Sequence, residues 1–263
     1  MNILETIIAE KRREVAGCKQ NYPVGLLEKM TEFSRTTLSL RQYLADPSKT
    51  GIIAEFKRKS PSKGWIHEGA DPEVITAAYT AHGASGLSVL TDENFFGGSL
   101  PDLQKARQNS IPILRKEFII DDYQIVEAKA YGADVILLIA ANLSVTQVKS
   151  LASTAKNLGL EVLLEIHDEG ELEHICDAVD LVGVNNRNLK TFQVDIHTSI
   201  RLSKLIPEGK VKISESGISE VASVNRLKDA GFNGFLVGEN FMKAAEPGLA
   251  FAAFVKQLKE KRT

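Results

Sequence analysis

Eight parallel strands alternating with helices and closing into a (β/α)8 barrel, preceded by an N-terminal helical extension, is the fold the sequence predicts. Three observations carry it. Eight short apolar runs recur along the 263 residues, the stretches between them are long enough for helices, and four of those stretches end in a glycine just before the next run. Strands buried on both faces read as unbroken Val, Ile and Leu, and strands that alternate with helices pair in parallel. A typical barrel takes about 250 residues, so residues 1–263 are read as one domain and residues 1–48 as its extension.

The extension opens on Ile3, Leu4, Ile7 and Ile8, followed by Lys11-Arg12-Arg13. Glu5, Glu10 and Glu14 interleave with them, whereas transit peptides are poor in acids and secretory signals need a continuous apolar core, so a structural helix is expected. Asn21-Tyr22-Pro23 breaks it, and Asp46-Pro47-Ser48 leads into the first strand. Its expected job is to cap a barrel end or to border the mouth. The strands follow as Ile52-Phe56, Leu87-Leu90, Ile113-Leu114, Val135-Ala140, Val162-Ile166, Leu181-Val184, Val211-Ile213 and Phe235-Val237. The helix-ending glycines lie in His82-Gly83-Ala84, Tyr131-Gly132-Ala133, Leu158-Gly159 and Ala230-Gly231.

Composition narrows the function. A net charge of −2 with 25% charged residues leaves no basic stripe for nucleic acid. No apolar stretch approaches the roughly 20 residues that span a bilayer, so no membrane partner is expected. Cys18 and Cys176 lack CxxC spacing and fit a reducing cytoplasm. The five histidines, His67, His82, His167, His174 and His197, form no metal-ligand pattern; His167 is read as a solvent-facing loop residue. No dinucleotide or Walker fingerprint appears, so neither a metal nor a nucleotide cofactor is expected.

The strands end on residues that a core strand has no reason to carry. Side chains alternate faces along a strand, so Glu55 and Lys57 share one side, as do Asn185 and Arg187. At the C-terminal end of a barrel, where barrel enzymes gather their chemistry, these converge with Lys116 and Glu165 on one cavity. Further polar ends are Ser214 and Ser216 on strand seven, and Gly238 and Glu239 on strand eight. A structural ion-pair network closing the barrel is the alternative for any single residue; four strand ends bearing such residues together favour a site.

The run after strand one, Glu55-x-Lys57-x-x-Ser60-Pro61-Ser62-x-Gly64, is the most specific string. Together with Leu90-Thr91-Asp92, Phe95-Phe96-Gly97-Gly98, Leu114-Arg115-Lys116-Glu117-Phe118, Leu164-Glu165-Ile166, Gly183-Val184-Asn185-Asn186-Arg187-Asn188-Leu189, Glu215-Ser216-Gly217-Ile218 and Leu236-Val237-Gly238, it resembles the indole-3-glycerol-phosphate synthase family of tryptophan biosynthesis over nearly the whole chain. The resemblance implies ring closure of 1-(2-carboxyphenylamino)-1-deoxyribulose 5-phosphate to indole-3-glycerol phosphate, with loss of carbon dioxide and water and with no cofactor.

Carried onto this chain, the resemblance makes Lys116 the general acid and Glu165 the general base, with Lys57 near the phosphate and the reacting carbonyl. It leaves the division of proton transfers between the two lysines open. Glu55 and Asn185 hold the ammonium groups and the substrate hydroxyls. Ser60, Pro61, Phe96, Leu137 and Arg187 embrace the anthranilate half, although Leu137 and Phe96 also read as core residues. The phosphate falls to Lys57, Ser216, Gly217 and Gly238 and to the backbone N–H of Glu239, whose side chain is expected to turn outward. A phosphorylated small molecule is the implied partner, and other tryptophan-pathway enzymes are admitted. Two other functions stay open: a different ribulose-phosphate barrel such as a phosphoribosylanthranilate isomerase, and a non-catalytic ligand-binding subunit.

Overall fold

In the computed structural model, which describes residues 3–189 and 191–260, eight parallel strands close on themselves. Residues 1–2, Lys190 and 261–263 of the expected domain lie outside the described residues. The strands are β1 (Ile52–Phe56), β2 (Gly86–Leu90), β3 (Ile113–Lys116), β4 (Val135–Ile139), β5 (Glu161–Ile166), β6 (Leu181–Asn185), β7 (Val211–Glu215) and β8 (Gly234–Val237). Each pairs with its sequence neighbours, and β1 closes on β8 through Ile52 with Phe235 and Ala54 with Val237. All eight expected runs are strands.

Alternation divides the apolar residues into two cores. Outward side chains such as Ile52, Phe56, Val89, Leu164 and Phe235 pack under the surrounding helices. Inward ones, among them Ile53, Leu114, Leu137, Leu163, Leu181, Ile213 and Leu236, fill the barrel. The glycines expected at helix ends, Gly83, Gly132, Gly159 and Gly231, all take positive φ, the left-handed turn that returns the chain to the next strand. Between β5 and β6, the shortest strand connection, a 3-10 turn (Glu169–His174) replaces a full helix.

The extension does both of its expected jobs. Its first helix, Ile3–Asn21, stops at the break before Pro23, and Ile3, Leu4 and Ile7 reach the mouth of the barrel. A later helix, Leu40–Ala45, capped by Ser39, plugs the opposite end, with Leu40 and Leu44 joining the interior core. Gly86 and Gly234 make room: a Cβ on either would meet Leu40 or Leu44 at 2.7 and 2.9 Å.

The first helix is held at the mouth by a charge that the sequence pattern hides. Lys11, read as part of a basic run, is 1% exposed. Its Nζ lies 3.0 Å from Asp92 and 3.0 Å from Glu117, in the loops after β2 and β3, and 2.8 Å from Glu14. Burial lowers the affinity of Lys11 for its proton and the carboxylates of Glu117 and Asp92 raise it; the carboxylates win. Arg115, facing outward from β3, extends the network to Glu127 at 2.7 Å.

Emptying the floor of the barrel tests this packing. Leu40→Ala removes a fully buried side chain and should lower unfolding free energy by about 2–5 kcal/mol in urea titration; a loss below about 1 kcal/mol would mean that the helix does not support the barrel.

Candidate active site

Of the strand-end residues singled out in the sequence, all but Ser214 line one cavity of about 530 Å³ at the C-terminal end of the barrel, a volume suited to a small phosphorylated ligand. Glu55, Lys57, Lys116, Glu165 and Asn185 form its polar wall, Ser60, Pro61, Phe96, Leu137 and Arg187 another side, and Ser216, Gly217, Gly238 and Glu239 a third. Leu137 belongs at once to the barrel core and to the cavity.

Charge pairing organises the polar wall. Lys57 Nζ donates to Glu55 Oε1 at 2.6 Å. Lys116 Nζ lies 3.0 Å from Glu165 Oε2 and also donates to Glu215 Oε2. Asn185 does not hold an ammonium; its Nδ2 donates to Glu165 Oε1 at 3.1 Å, and its Oδ1 accepts the backbone N–H of Arg187. Close packing makes this possible at two glycines. A Cβ on Gly238 would meet Glu55 Oε1 at 2.5 Å, and one on Gly183 would collide with Glu215.

Glu215 is the residue missing from the sequence reading. The polar residues expected at the end of strand seven, Ser214 and Ser216, lie one position out of phase with it. Ser214 faces the helices, where its hydroxyl meets Asn186 and Ser199, while Glu215, 1% exposed, points into the cavity. Counting by two from the interior residue Ile213 finds it. Ser216 then turns with φ 67° and Gly217 with φ 74°, and Ser216, having a Cβ, stores strain of about 1–3 kcal/mol at the cavity wall.

The titration of the group follows from one ammonium serving two carboxylates. Burial opposes the charge on Lys116, but Glu215, Glu165 and Glu55 together raise its proton affinity. Burial also raises Glu165, yet Lys116, His167 and Asn185 hold it ionised, below the ordinary carboxylate range. Glu215 goes the other way: burial, with Glu165 and Glu55 nearby, outweighs Lys116 and pushes it up to about 7. Its Oε1 has no hydrogen-bond partner among the described residues, so of the two carboxylates it is the one suited to carry a proton.

Two further expectations need correction. His167 is not a solvent-facing loop residue: its side chain is 12% exposed, with Nε2 3.3 Å from Glu165 Oε1 and Nδ1 3.3 Å from Glu171 Oε2. Glu239 does not turn outward. Its Oε2 lies 3.5 Å from Arg187 Nη2 across the mouth, where the opposite charges attract.

The loops supply the apolar wall. After β1 a two-residue hairpin pairs Lys59–Ser60 with Gly64–Trp65, leaving Ser60 buried with an unpartnered Oγ. Phe96 stacks at 5.9 Å on Phe118, a second cavity residue that the sequence reading did not select. Its place directly after Lys116-Glu117 was the available signal.

Comparison with known proteins agrees over almost the full length. A family model described as indole-3-glycerol phosphate synthase matches residues 4–254. The indole-3-glycerol phosphate synthase of Bacteroides thetaiotaomicron is 51% identical over 258 residues, covering 98% of this chain and 99% of the relative. That of Bordetella pertussis is 43% identical over 259 residues, covering 97% and 99%. Among solved structures, a chain of the tryptophan synthase complex from Pyrococcus furiosus superposes with a TM-score of 0.59 at 17% identity, covering 81% of this chain and 98% of that one. The 3-hexulose-6-phosphate synthase of Salmonella typhimurium gives 0.62 at 15%, covering 80% and 99%. At those identities the structures share the fold alone.

Glu215 offers a pH test. The native state keeps its proton up to about pH 7, whereas an unfolded glutamic acid loses it near roughly pH 4.3. Folding therefore takes up a proton in that window, so this group's contribution to stability is full below the unfolded value and is lost as pH rises to about 7. Glu215→Gln keeps the shape and removes the ionisation. Its Tm should exceed the parent's at pH 8 and match it near pH 5; a lower Tm at pH 8 would make the charged form the stabilising one.

Proposed function

The chain belongs to the indole-3-glycerol phosphate synthase family, and on that premise we propose that its cavity closes the pyrrole ring of 1-(2-carboxyphenylamino)-1-deoxyribulose 5-phosphate, with Lys116 as general acid and Glu165 as general base. The observation that carries this is the Lys116–Glu165 pair, 3.0 Å apart in a buried cavity. It presents a proton donor and a proton acceptor to one bound molecule.

The reaction needs both. The ring carbon bearing the carboxylate attacks the ribulose carbonyl, and the oxygen, becoming an alkoxide, takes the proton of Lys116. The substrate nitrogen, now an iminium, accepts the electrons released as carbon dioxide leaves. The new hydroxyl takes a second proton and departs as water, and the cationic ring gives one proton to Glu165. Two protons enter and one leaves, and the net uptake balances the lost carboxylate charge. Lys57, held by Glu55 at 2.6 Å and lining the same cavity, is assigned a share of the later transfer and a contact with the phosphate.

Binding roles follow from the walls. Ser60, Pro61, Phe96 and Leu137 present the surface for the anthranilate ring, and Arg187 meets its carboxylate. Arg187 already shares its charge with Glu239, so it orients the leaving carboxylate without clamping it. Ser216, Gly217, Gly238 and the backbone N–H of Glu239 take the phosphate, with the Glu239 side chain directed to Arg187 and away from the dianion. We assign the chain to one barrel domain with an N-terminal extension. We place it in the cytoplasm, where other tryptophan-pathway enzymes are its natural partners; among the described residues no helix is long and apolar enough to cross a membrane.

Purified protein given this substrate without added metal or cofactor should generate indole fluorescence, and it should leave phosphoribosylanthranilate unchanged; the reverse result would favour the isomerase. Lys116→Ala should lower kcat by about 10²–10⁴, the usual contribution of a positioned acid, with near-normal kcat removing Lys116 from the mechanism. Glu165→Gln keeps shape but not basicity, so kcat should collapse while product affinity stays within a few-fold. A parallel fall in both would make Glu165 a binding residue.

A further inference from the structure

The base proposed above does not stand alone. Glu165 is the second-last residue of β5, and His167, two positions on, falls on the same face of the chain. The imidazole stands behind the carboxylate and does not line the cavity. Its two ring nitrogens each face a carboxylate oxygen at 3.3 Å, Nε2 toward Glu165 Oε1 and Nδ1 toward Glu171 Oε2. The Nδ1 contact is a hydrogen bond with Glu171, whereas the Nε2 contact with Glu165 is a charge contact with no aligned hydrogen bond among the described residues; two facing carboxylates favour the imidazolium over the neutral ring.

The short turn after β5 builds this arrangement. Asp168 caps the turn by accepting from the backbone N–H of Gly170 at 2.9 Å. Glu171, one turn on, reaches back to accept the backbone N–H of His167 at 2.6 Å with the same Oε2 that faces the ring. Glu171 is thereby fixed against the imidazole by a backbone hydrogen bond, and the other ring nitrogen lies 3.3 Å from Glu165. The 3-10 turn in place of a helix between β5 and β6 is what brings residue 171 back to residue 167.

We propose that His167, held as an imidazolium by Glu171, is a positioning residue for the base: its charge beside Glu165 keeps that carboxylate ionised between turnovers. The proposal rests on the reading of Glu165 as general base. The charged and titratable groups around the pair are Glu171 from the turn, Lys116 from β3 and Glu215 from β7, with Asn185 of β6 as the neutral donor. Lys116 is the acid and is drawn toward the substrate oxygen during the reaction. His167 has no such duty, so it is the cation that stays with Glu165 when Lys116 turns to substrate. Burial lowers the proton affinity of the imidazole, but Glu165 and Glu171 more than offset it and push it up to about 10.

Three variants and one spectroscopic measurement test this. His167→Ala removes donor and charge, His167→Gln keeps a donor without charge, and Glu171→Gln removes the anion that holds the ring. Loss of the cation raises the proton affinity of Glu165, which must be ionised to act. The acidic limb of the single-turnover rate should therefore move to higher pH by at least one unit in both His167 variants, and in the same direction by less in Glu171→Gln. KM at pH 8.5 should change by less than about three-fold. In ¹⁵N-histidine NMR of the parent enzyme, His167 should be an imidazolium at pH 8 and should titrate at lower pH in Glu171→Gln.

A limb that stays at the same pH in the folded variants, with only a uniform rate loss, overturns the proposal, as does a neutral His167 at pH 7 in the parent. Should His167→Ala fail to fold, Glu171→Gln and the NMR titration decide the matter. Glu165→Gln separates the two layers: near-parent turnover in it defeats the base assignment itself, whereas an inactive Glu165→Gln beside an unmoved limb defeats only the role of His167.

Discussion

One ammonium between two carboxylates organises the top of this barrel. Glu55, Glu165 and Glu215 come from β1, β5 and β7, face one cavity and are all buried, and buried like charges repel far more strongly than charges in solvent. Lys116 Nζ sits between Glu165 and Glu215, and Lys57 takes Glu55. Without those cations the strands that carry the carboxylates would each bury an uncompensated charge, at several kcal/mol apiece. The shortage that remains, three carboxylates against two ammoniums, is met by His167 beside Glu165 and by the raised proton affinity of Glu215. The same electrostatics that lets the strand ends coexist leaves a charged donor and an ionised acceptor side by side.

The extension places that site between two closures. At the floor, Leu40 and Leu44 enter spaces left by Gly86 and Gly234 and complete the interior core. At the mouth, the buried Lys11 joins the first helix to Asp92 and Glu117. Asp92 also caps the short helix that carries Phe96, and Glu117 precedes Phe118. One charge therefore sets the height of Ile3, Leu4 and Ile7 over the cavity and the seat of the two stacked phenylalanines. A hydrophobic residue at position 11 could fill the same volume but could not neutralise two loop carboxylates at once.

Chains that superpose on this one at 15–17% identity share its fold. What belongs to this chain is the set of residues where strands stop. Function in such folds lives in the site carried by the scaffold, and here the scaffold contributes mainly parity: alternate residues point inward, so a polar residue two positions beyond a core Val, Ile or Leu arrives in the cavity without further instruction.

The sequence by itself determined the strands, because continuous apolar runs have no stable place except between two packed layers. It determined also that Glu55, Lys57, Lys116, Glu165, Asn185 and Arg187 gather at one end, because parity and strand polarity are local properties. The helix break at Pro23 and the positive-φ glycines before four strands were legible for the same reason. Tertiary structure alone decided who meets whom. That Lys11 is buried rather than part of a solvated basic run depends on two loops some 80 and 100 residues downstream. That Asn185 serves Glu165 instead of an ammonium, and that Glu239 crosses to Arg187, depends on the spacing of neighbouring strand ends. His167 reads as solvent-facing because residue order does not show that the turn after β5 brings Glu171 onto one side of its ring while Glu165 faces the other. Partner choice among charges is set by through-space distance and desolvation, and neither quantity is written in the order of residues along the chain.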